Sequence, residues 1–234
     1  MKISKLLPTL ALSLAAVPVL AIPHPHRAPT TCADTTEQTP QTPAKSYSVE
    51  APNPGLPPEL VAALKKVALP VPPMDTPLAA NPRVVLETSQ GAITLELNSK
   101  AAPLHVRSFV YLVNSGFYNG VSFHRFADLT GDGGNIIQGG DPLSKSAETR
   151  QFAGVGGPGY KIPLEISDLK HDALTIAAAR SSDPDSAGSQ FYICQAPVHF
   201  LDGQYTVFGK VVAGQDAALK LRQDDTIKSA RVVK

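Results

Sequence analysis

A surplus of charge of either sign is missing from this 234-residue chain: Lys and Arg total 21 against 20 for Asp and Glu. A protein that neutralises many phosphates shows a basic excess or stripe, so nucleic acid is not an expected partner. Cysteine is scarce as well, with only Cys32 and Cys194. Cys194 ends the apolar run Phe191–Cys194, where a buried thiol behaves as a small core residue, whereas Cys32 lies in Pro/Thr-rich sequence. Nothing in the sequence supports the close geometry that a bridge between them would need, and both thiols read as structural or incidental. The N-terminal apolar run, Leu6 to Leu20, is shorter than the ~20 residues of a comfortable membrane span. Met1, Lys2 and Lys5 precede it and Val19-Leu20-Ala21 ends it. That order matches a secretory signal peptide over residues 1–21, cleaved after Ala21. The expectation is an exported protein, periplasmic or secreted, with no stable membrane insertion after cleavage. An uncleaved N-terminal anchor is the alternative.

What the chain has in abundance is proline, and it is unevenly spread: fourteen of 22 prolines fall in residues 22–82. Proline fixes φ and removes a donor, so this segment reads as an extended tail or linker. One island, Glu59 to Leu69, sets Leu60, Leu64 and Val67 on one helical face. It is either a short helix docked on the downstream domain or a transient turn in a linker.

From Arg83 the texture changes, and residues 83–234 read as one domain. Ile93, Leu95 and Leu97 alternate with polar residues, the period of a half-buried strand, joined by a hairpin to Val84–Thr88. Pro103 opens a helix stopped by Gly116, and a second helix is predicted over Gln215–Arg222. Further strands are predicted at Ser122–Arg125, Asn135–Gln138, Leu174–Ala179, Gln190–Cys194, Thr206–Val212 and Thr226–Val233. Many short strands with two helices suggest a mainly β, antiparallel barrel.

Four segments carry the chemistry: Phe123-His124-Arg125, Gln138-Gly139-Gly140-Asp141, Gly188-Ser189-Gln190-Phe191-Tyr192-Ile193, and the stretch from Phe200-Leu201-Asp202-Gly203 through Tyr205 to Val211. In this order, over residues 83–234, they resemble the cyclophilin family of peptidyl-prolyl cis-trans isomerases, particularly exported bacterial members. The resemblance implies an eight-stranded antiparallel barrel capped by two helices, with a proline-binding groove on its outer surface. It implies a catalytic pair, Arg125 and Gln138, and substrate contacts from Ile136, Ala179, Gln190, Tyr192, Phe200, Leu201 and Tyr205. Strand alternation agrees in part: Gln190 and Tyr192 share one face, as do Ile136 and Gln138. The implied partners are proline-containing peptides and unfolded exported proteins, handled by a monomer. No metal or cofactor is expected, because turning an amide bond requires no nucleophile, metal or proton transfer.

Several positions depart from the family pattern. Residues 128–134 form an insertion between Arg125 and Gln138, and Asn135 stands where the family carries phenylalanine in the proline pocket. Phe126 could fold back to fill that gap. Phe200 stands where many members carry tryptophan, a residue this chain lacks entirely, and Tyr205 replaces a histidine common in eukaryotic members. Intact Arg125 and Gln138 point to an enzyme. Asn135 and the insertion leave open a non-catalytic module of cyclophilin fold that binds proline peptides. The aspartates of the insertion lack the closing bidentate Glu of a full calcium loop, so a solvated turn is expected there.

Overall fold

The computed structural model describes residues 45–50, 55–133 and 135–233, which lie within one compact unit spanning residues 43–234. The expected signal peptide, Cys32 and the tail before residue 45 fall outside the described residues. In chain order the elements are β1 (Ser48–Val49), α1 (Pro58–Val67), β2 (Arg83–Thr88), β3 (Gly91–Leu97), α2 (Pro103–Asn114), β4 (Arg125–Asp128) and β5 (Asn135–Gly139). They continue as β6 (Tyr160–Lys161), β7 (Thr175–Ala178), β8 (Phe191–Cys194), β9 (Val207–Ala213), α3 (Gln215–Lys220) and β10 (Ile227–Val233).

Eight strands form one antiparallel sheet in the order β10-β2-β3-β9-β7-β8-β5-β4. The alternation legible in β3 does what period 2 requires: Ile93, Leu95 and Leu97 are fully buried. The sheet curls until its edges meet beyond β4 and β10. There Gly120 and Phe123 donate their N–H groups to the Ile227 and Asp225 carbonyls, both at 2.8 Å, and Ile227 N–H returns to the Val121 carbonyl at 2.8 Å. This ladder explains one difference from the sequence reading. Ser122 and Phe123, expected in a strand with Arg125, bond to the far edge instead, and β4 starts at Arg125.

Three α-helices, not two, accompany the sheet among the described residues. Helix α2 begins at Pro103 without a capping side chain of its own. Its free N–H groups are met from elsewhere: Glu165 accepts from the amides of Leu104 and His105, each at 3.0 Å. A carboxylate at that end also suits the helix dipole. Leu104, Val106, Phe109, Leu112 and Val113 then join the main core.

The third helix lies upstream of Arg83, in the proline-rich segment. Pro57 and Pro58 open α1, where a missing N–H costs nothing, and Leu60 is buried. Its exit is bonded to the barrel loop through Leu69 N–H to the Pro158 carbonyl, 2.8 Å. Farther upstream, β1 pairs with β6, and the Tyr47 hydroxyl donates to the Leu104 carbonyl at 2.6 Å. Downstream, Arg107 donates to the Pro73 carbonyl and Ser99 to the Ala79 carbonyl. Residues 45–82 thus form a strap against the barrel wherever they are described.

Candidate active site

The two faces of the curled sheet carry two separate apolar clusters. Phe191 and Ile193 of β8 enter the main core with Ile137 and Ile176, while Tyr192 and Cys194 enter the second cluster with Ile136, Ala177, Val198 and Val207. Strand alternation makes the division, and the second cluster floors a surface pocket. Cys194 is a free, buried thiol here, its pKa pushed up to about 11 by desolvation.

Strand register puts the polar groups in one row across that floor. Arg125 pairs with Gln138, Gln138 with Tyr192, and Tyr192 with Ala177. Same-face neighbours on adjacent strands lie close enough to bond, and here they do. The Arg125 guanidinium donates to Gln138 Oε1 at 3.2 Å, and Gln138 Nε2 donates to Gln190 Oε1 at 3.0 Å. Gln190 Nε2 in turn reaches the Gly156 carbonyl at 2.8 Å. That loop is organised by Asp141, fully buried, whose carboxylate accepts from the amides of Leu143, Gly154 and Gly156 at 2.5–2.7 Å. Gly140, at φ +95°, lies so close to the Ser189 carbonyl that no side chain fits. Arg125 is thereby held at the end of a chain of partners while remaining exposed.

The pocket beside it has a volume of about 240 Å³. Arg125 and Gln138 form its polar edge; Ile136, Tyr192, Leu201 and Tyr205 supply apolar walls, with Ala179 and Phe200 also lining it. Of the nine site residues expected from sequence, only Gln190 lies outside this pocket. It lines an adjoining one of about 190 Å³ that shares Gln138, Ala179 and Arg180. A larger cavity of about 320 Å³, bordered by Glu96, Lys170 and Lys210, contains none of the nine.

Two lining residues escaped the sequence reading. Arg180 holds its guanidinium 4.4 Å above the Tyr205 ring and donates to the Gln204 carbonyl at 2.9 Å. Its one signal was adjacency to Ala179. Leu129 also lines the pocket. It is the sole apolar residue of the insertion 128–134, a signal that was present and unused. Phe126, suggested as a filler for the missing aromatic wall, does not serve: its ring packs on the main core under Arg222, whose guanidinium carbon lies 4.9 Å away. The described residues of the insertion, 128–133, lie at a hairpin tip. Asp128 pairs with Asn135, and its exposed carboxylate accepts from the amides of Thr130, Gly131 and Gly133. Those bonds, the Gly133 amide foremost, hold the carboxyl below its usual range.

The family profile described as cyclophilin type peptidyl-prolyl cis-trans isomerase/CLD matches residues 83–234. The chain belongs to the cyclophilin family. Among relatives, a peptidyl-prolyl cis-trans isomerase of Synechococcus elongatus is 40% identical over 155 residues, 64% of this chain and 96% of that protein. One from Helicobacter pylori is 37% identical over 156 residues, covering 65% and 87% respectively. Among solved structures, a cyclophilin type isomerase of Cryptosporidium parvum superposes with a TM-score of 0.56 at 27% identity, over 66% of this chain and 98% of that one. A second structure of that protein was determined in the presence of the dipeptide Ala-Pro and gives a TM-score of 0.56 at 28% identity, covering 65% and 99%. The fold is therefore the cyclophilin fold, and the chain is a peptidyl-prolyl cis-trans isomerase.

Proposed function

We propose that the pocket edged by Arg125 is where this cyclophilin binds the proline ring of an X-Pro segment and turns the bond before it. The observation that carries this is the exposed Arg125 guanidinium, tied through Gln138 to Gln190 at the rim of an apolar pocket. Amide resonance sets a barrier of ~18–20 kcal/mol to rotation. At the twisted transition state resonance is lost and the nitrogen becomes a pyramidal acceptor. A donor held beside it binds that state more strongly than either ground state, and only such differential binding accelerates the step. Removing ~6–8 kcal/mol gives about 10⁴–10⁶-fold acceleration. In this reading Arg125 is the donor and Gln138 fixes its direction. Ile136, Tyr192, Leu201 and Tyr205 hold the ring, while Ala179, Gln190 and Phe200 border the peptide. Leu129 supplies apolar wall that Asn135 cannot.

The clients are inferred from the N-terminal sequence: a signal peptide over residues 1–21 supports export, hence unfolded exported proteins, whose X-Pro bonds isomerise over tens to hundreds of seconds unaided. The partner is proline-containing peptide, taken by a monomer. A protease-coupled assay of the full chain on an Ala-Pro peptide tests the reading. Isomerisation well above the uncatalysed rate is expected, and a rate left at the uncatalysed value overturns it.

A further inference from the structure

Behind the pocket lies a buried hydrogen-bonded series that the proposed reaction does not use. Tyr192 presents its ring to the pocket, while its hydroxyl meets His171 Nε2 at 3.0 Å. His171 is fully buried. Its other ring nitrogen, Nδ1, lies 2.9 Å from Asp202 Oδ1, which also accepts the His171 backbone N–H at 2.8 Å. A carboxylate can only accept, so Asp202 fixes the imidazole with its proton on Nδ1. Nε2 is then a lone pair, and the Tyr192 hydroxyl must donate to it. The direction of every bond in the series is set by one carboxylate.

The series is coupled to the pocket on both sides. Tyr192 packs edge-on against Tyr205, centroids 6.2 Å apart, and Arg180 covers the Tyr205 ring. Asp202 directly follows Leu201, another pocket wall. The charges facing His171 are Asp202 itself, with Lys170 Nζ at 3.8 Å and His199 Nδ1 at 3.4 Å from its outer oxygen, and Asp172, which His199 also approaches. Tyr192 faces it from β8 and Cys194 shares that face of the strand, both with pKa values raised by burial and so neutral.

We propose that His171 and Asp202 are positioning residues of the proline pocket: they hold the Tyr192 phenol in place, and protonation of His171 releases that wall and weakens peptide binding. An imidazolium has a proton on each nitrogen, so Nε2 can no longer accept. The Tyr192 proton must then turn into a cluster formed with Ala177, Cys194 and Val207, and a buried donor without a partner is costly. Burial already disfavours the imidazolium and lowers the His171 pKa, partly offset by Asp202. The transition therefore falls on the acid side of the ordinary histidine range. The ring moves the pocket wall, not the Arg125 donor, so KM should respond and kcat should not. This inference rests on the assignment of the pocket as the proline site.

The test is NMR exchange spectroscopy on a capped Ala-Pro peptide with no titratable group, from pH 8 to 4.5, with the full chain and two variants. Folding is checked by circular dichroism at each pH. In the unmodified protein KM should rise by roughly three- to tenfold as pH falls, with kcat steady. Asp202→Asn keeps an oxygen acceptor but removes the charge that favours the imidazolium, so the transition should move to lower pH. Tyr192→Phe should abolish it. His124, beside Arg125, also titrates below the ordinary range. A transition that persists in Tyr192→Phe therefore belongs elsewhere and overturns the proposal, as does a flat KM in the folded, unmodified protein. Absence of catalysis at pH 8 would count against the pocket's assignment. The series would then be judged by the His171 ring signals, which should report the Nδ1–H tautomer and titrate at higher pH in Tyr192→Phe than in the unmodified protein if the hydroxyl favours the neutral ring. An unchanged titration would overturn it.

Discussion

Phe200 shows how one side chain decides an interaction. It lines the pocket yet is 53% exposed, on the short 3-10 turn His199–Leu201. The family resemblance implies that, in members sensitive to the cyclic peptide cyclosporin, a tryptophan at this position donates its indole N–H to the drug and packs against it. Phenylalanine keeps the apolar face and has no donor, so one drug carbonyl is left unpaired on binding. An unmade bond at a desolvated site costs ~1–3 kcal/mol, and the smaller ring loses contact area besides. Inhibition should be roughly 10–1000-fold weaker than in a tryptophan-bearing member, and Phe200→Trp should increase sensitivity. A titration of activity against the drug decides it; tight nanomolar inhibition of the unmodified protein would contradict this role for Phe200. Residue chemistry of this kind was legible in the sequence because motif and spacing locate the residue. Arg180 and Leu129 were harder to see. One acts through a ring 25 positions away, and the other through a hairpin tip whose direction only the register of β4 and β5 fixes.

At the scale of elements, legibility followed burial pattern. Strand β3 was visible because one face is apolar and the period is 2, and β8 because Phe191–Cys194 is a short apolar run buried on both faces. The β1–β6 ladder was not, since Ser48 and Val49 are both exposed and two residues carry no period. Glu165 capping α2 was equally hidden, being 61 positions from the amide it meets at Leu104. The strap carries a prediction of its own. Its anchors are the buried Leu60, partly buried Tyr47, Leu69 and Leu78, the two-residue ladder and a handful of hydrogen bonds, so it should open locally before the barrel unfolds. Leu60→Ala removes buried apolar contact and should speed hydrogen exchange at the amides of Glu50 and Leu69, which bond to the Gly159 and Pro158 carbonyls. Exchange at Ile193, in the main core, should be unchanged. Activity should stay within a few-fold, because every residue lining the Arg125 pocket lies after Arg83 and the strap gives only Glu50 to the adjoining one. Equal acceleration at all three amides would show instead that strap and barrel unfold as one unit.

For the whole molecule the titrating groups point the same way. His124 and His171 are both shifted down, chiefly by desolvation. The unfolded chain therefore binds protons on them at a pH where the fold does not, so stability rises with pH in that window. It is fully present above the ordinary histidine value of ~6.5 and is lost as pH falls through the lowered values. Asp202 and Asp225 respond at lower pH. Partial burial opposes the shift, but the amide and ring of His171 hold Asp202 below the usual carboxylate range, and Ser89, Arg222 and Gln90 do the same for Asp225. Thermal melts should thus decline in two stages, first below about pH 6.5 and again in the carboxylate range. A midpoint constant from pH 7 to 4.5 would contradict the burial of the two imidazoles.

Arg125 is the group on which the assignment of the active site depends, and its removal is the most direct measurement. The guanidinium is exposed and, among the described residues, hydrogen-bonds Gln138, so Arg125→Ala should leave the fold and its melting temperature nearly unchanged. Arg125→Lys should recover little, because an ammonium lacks the planar fork and its fixed donor directions. Isomerisation of an Ala-Pro peptide by the folded Arg125→Ala protein should fall to a small fraction of the unmodified rate. Turnover close to that of the unmodified protein, in a variant shown to be folded, would contradict the role of Arg125 and with it the mechanism proposed for this pocket.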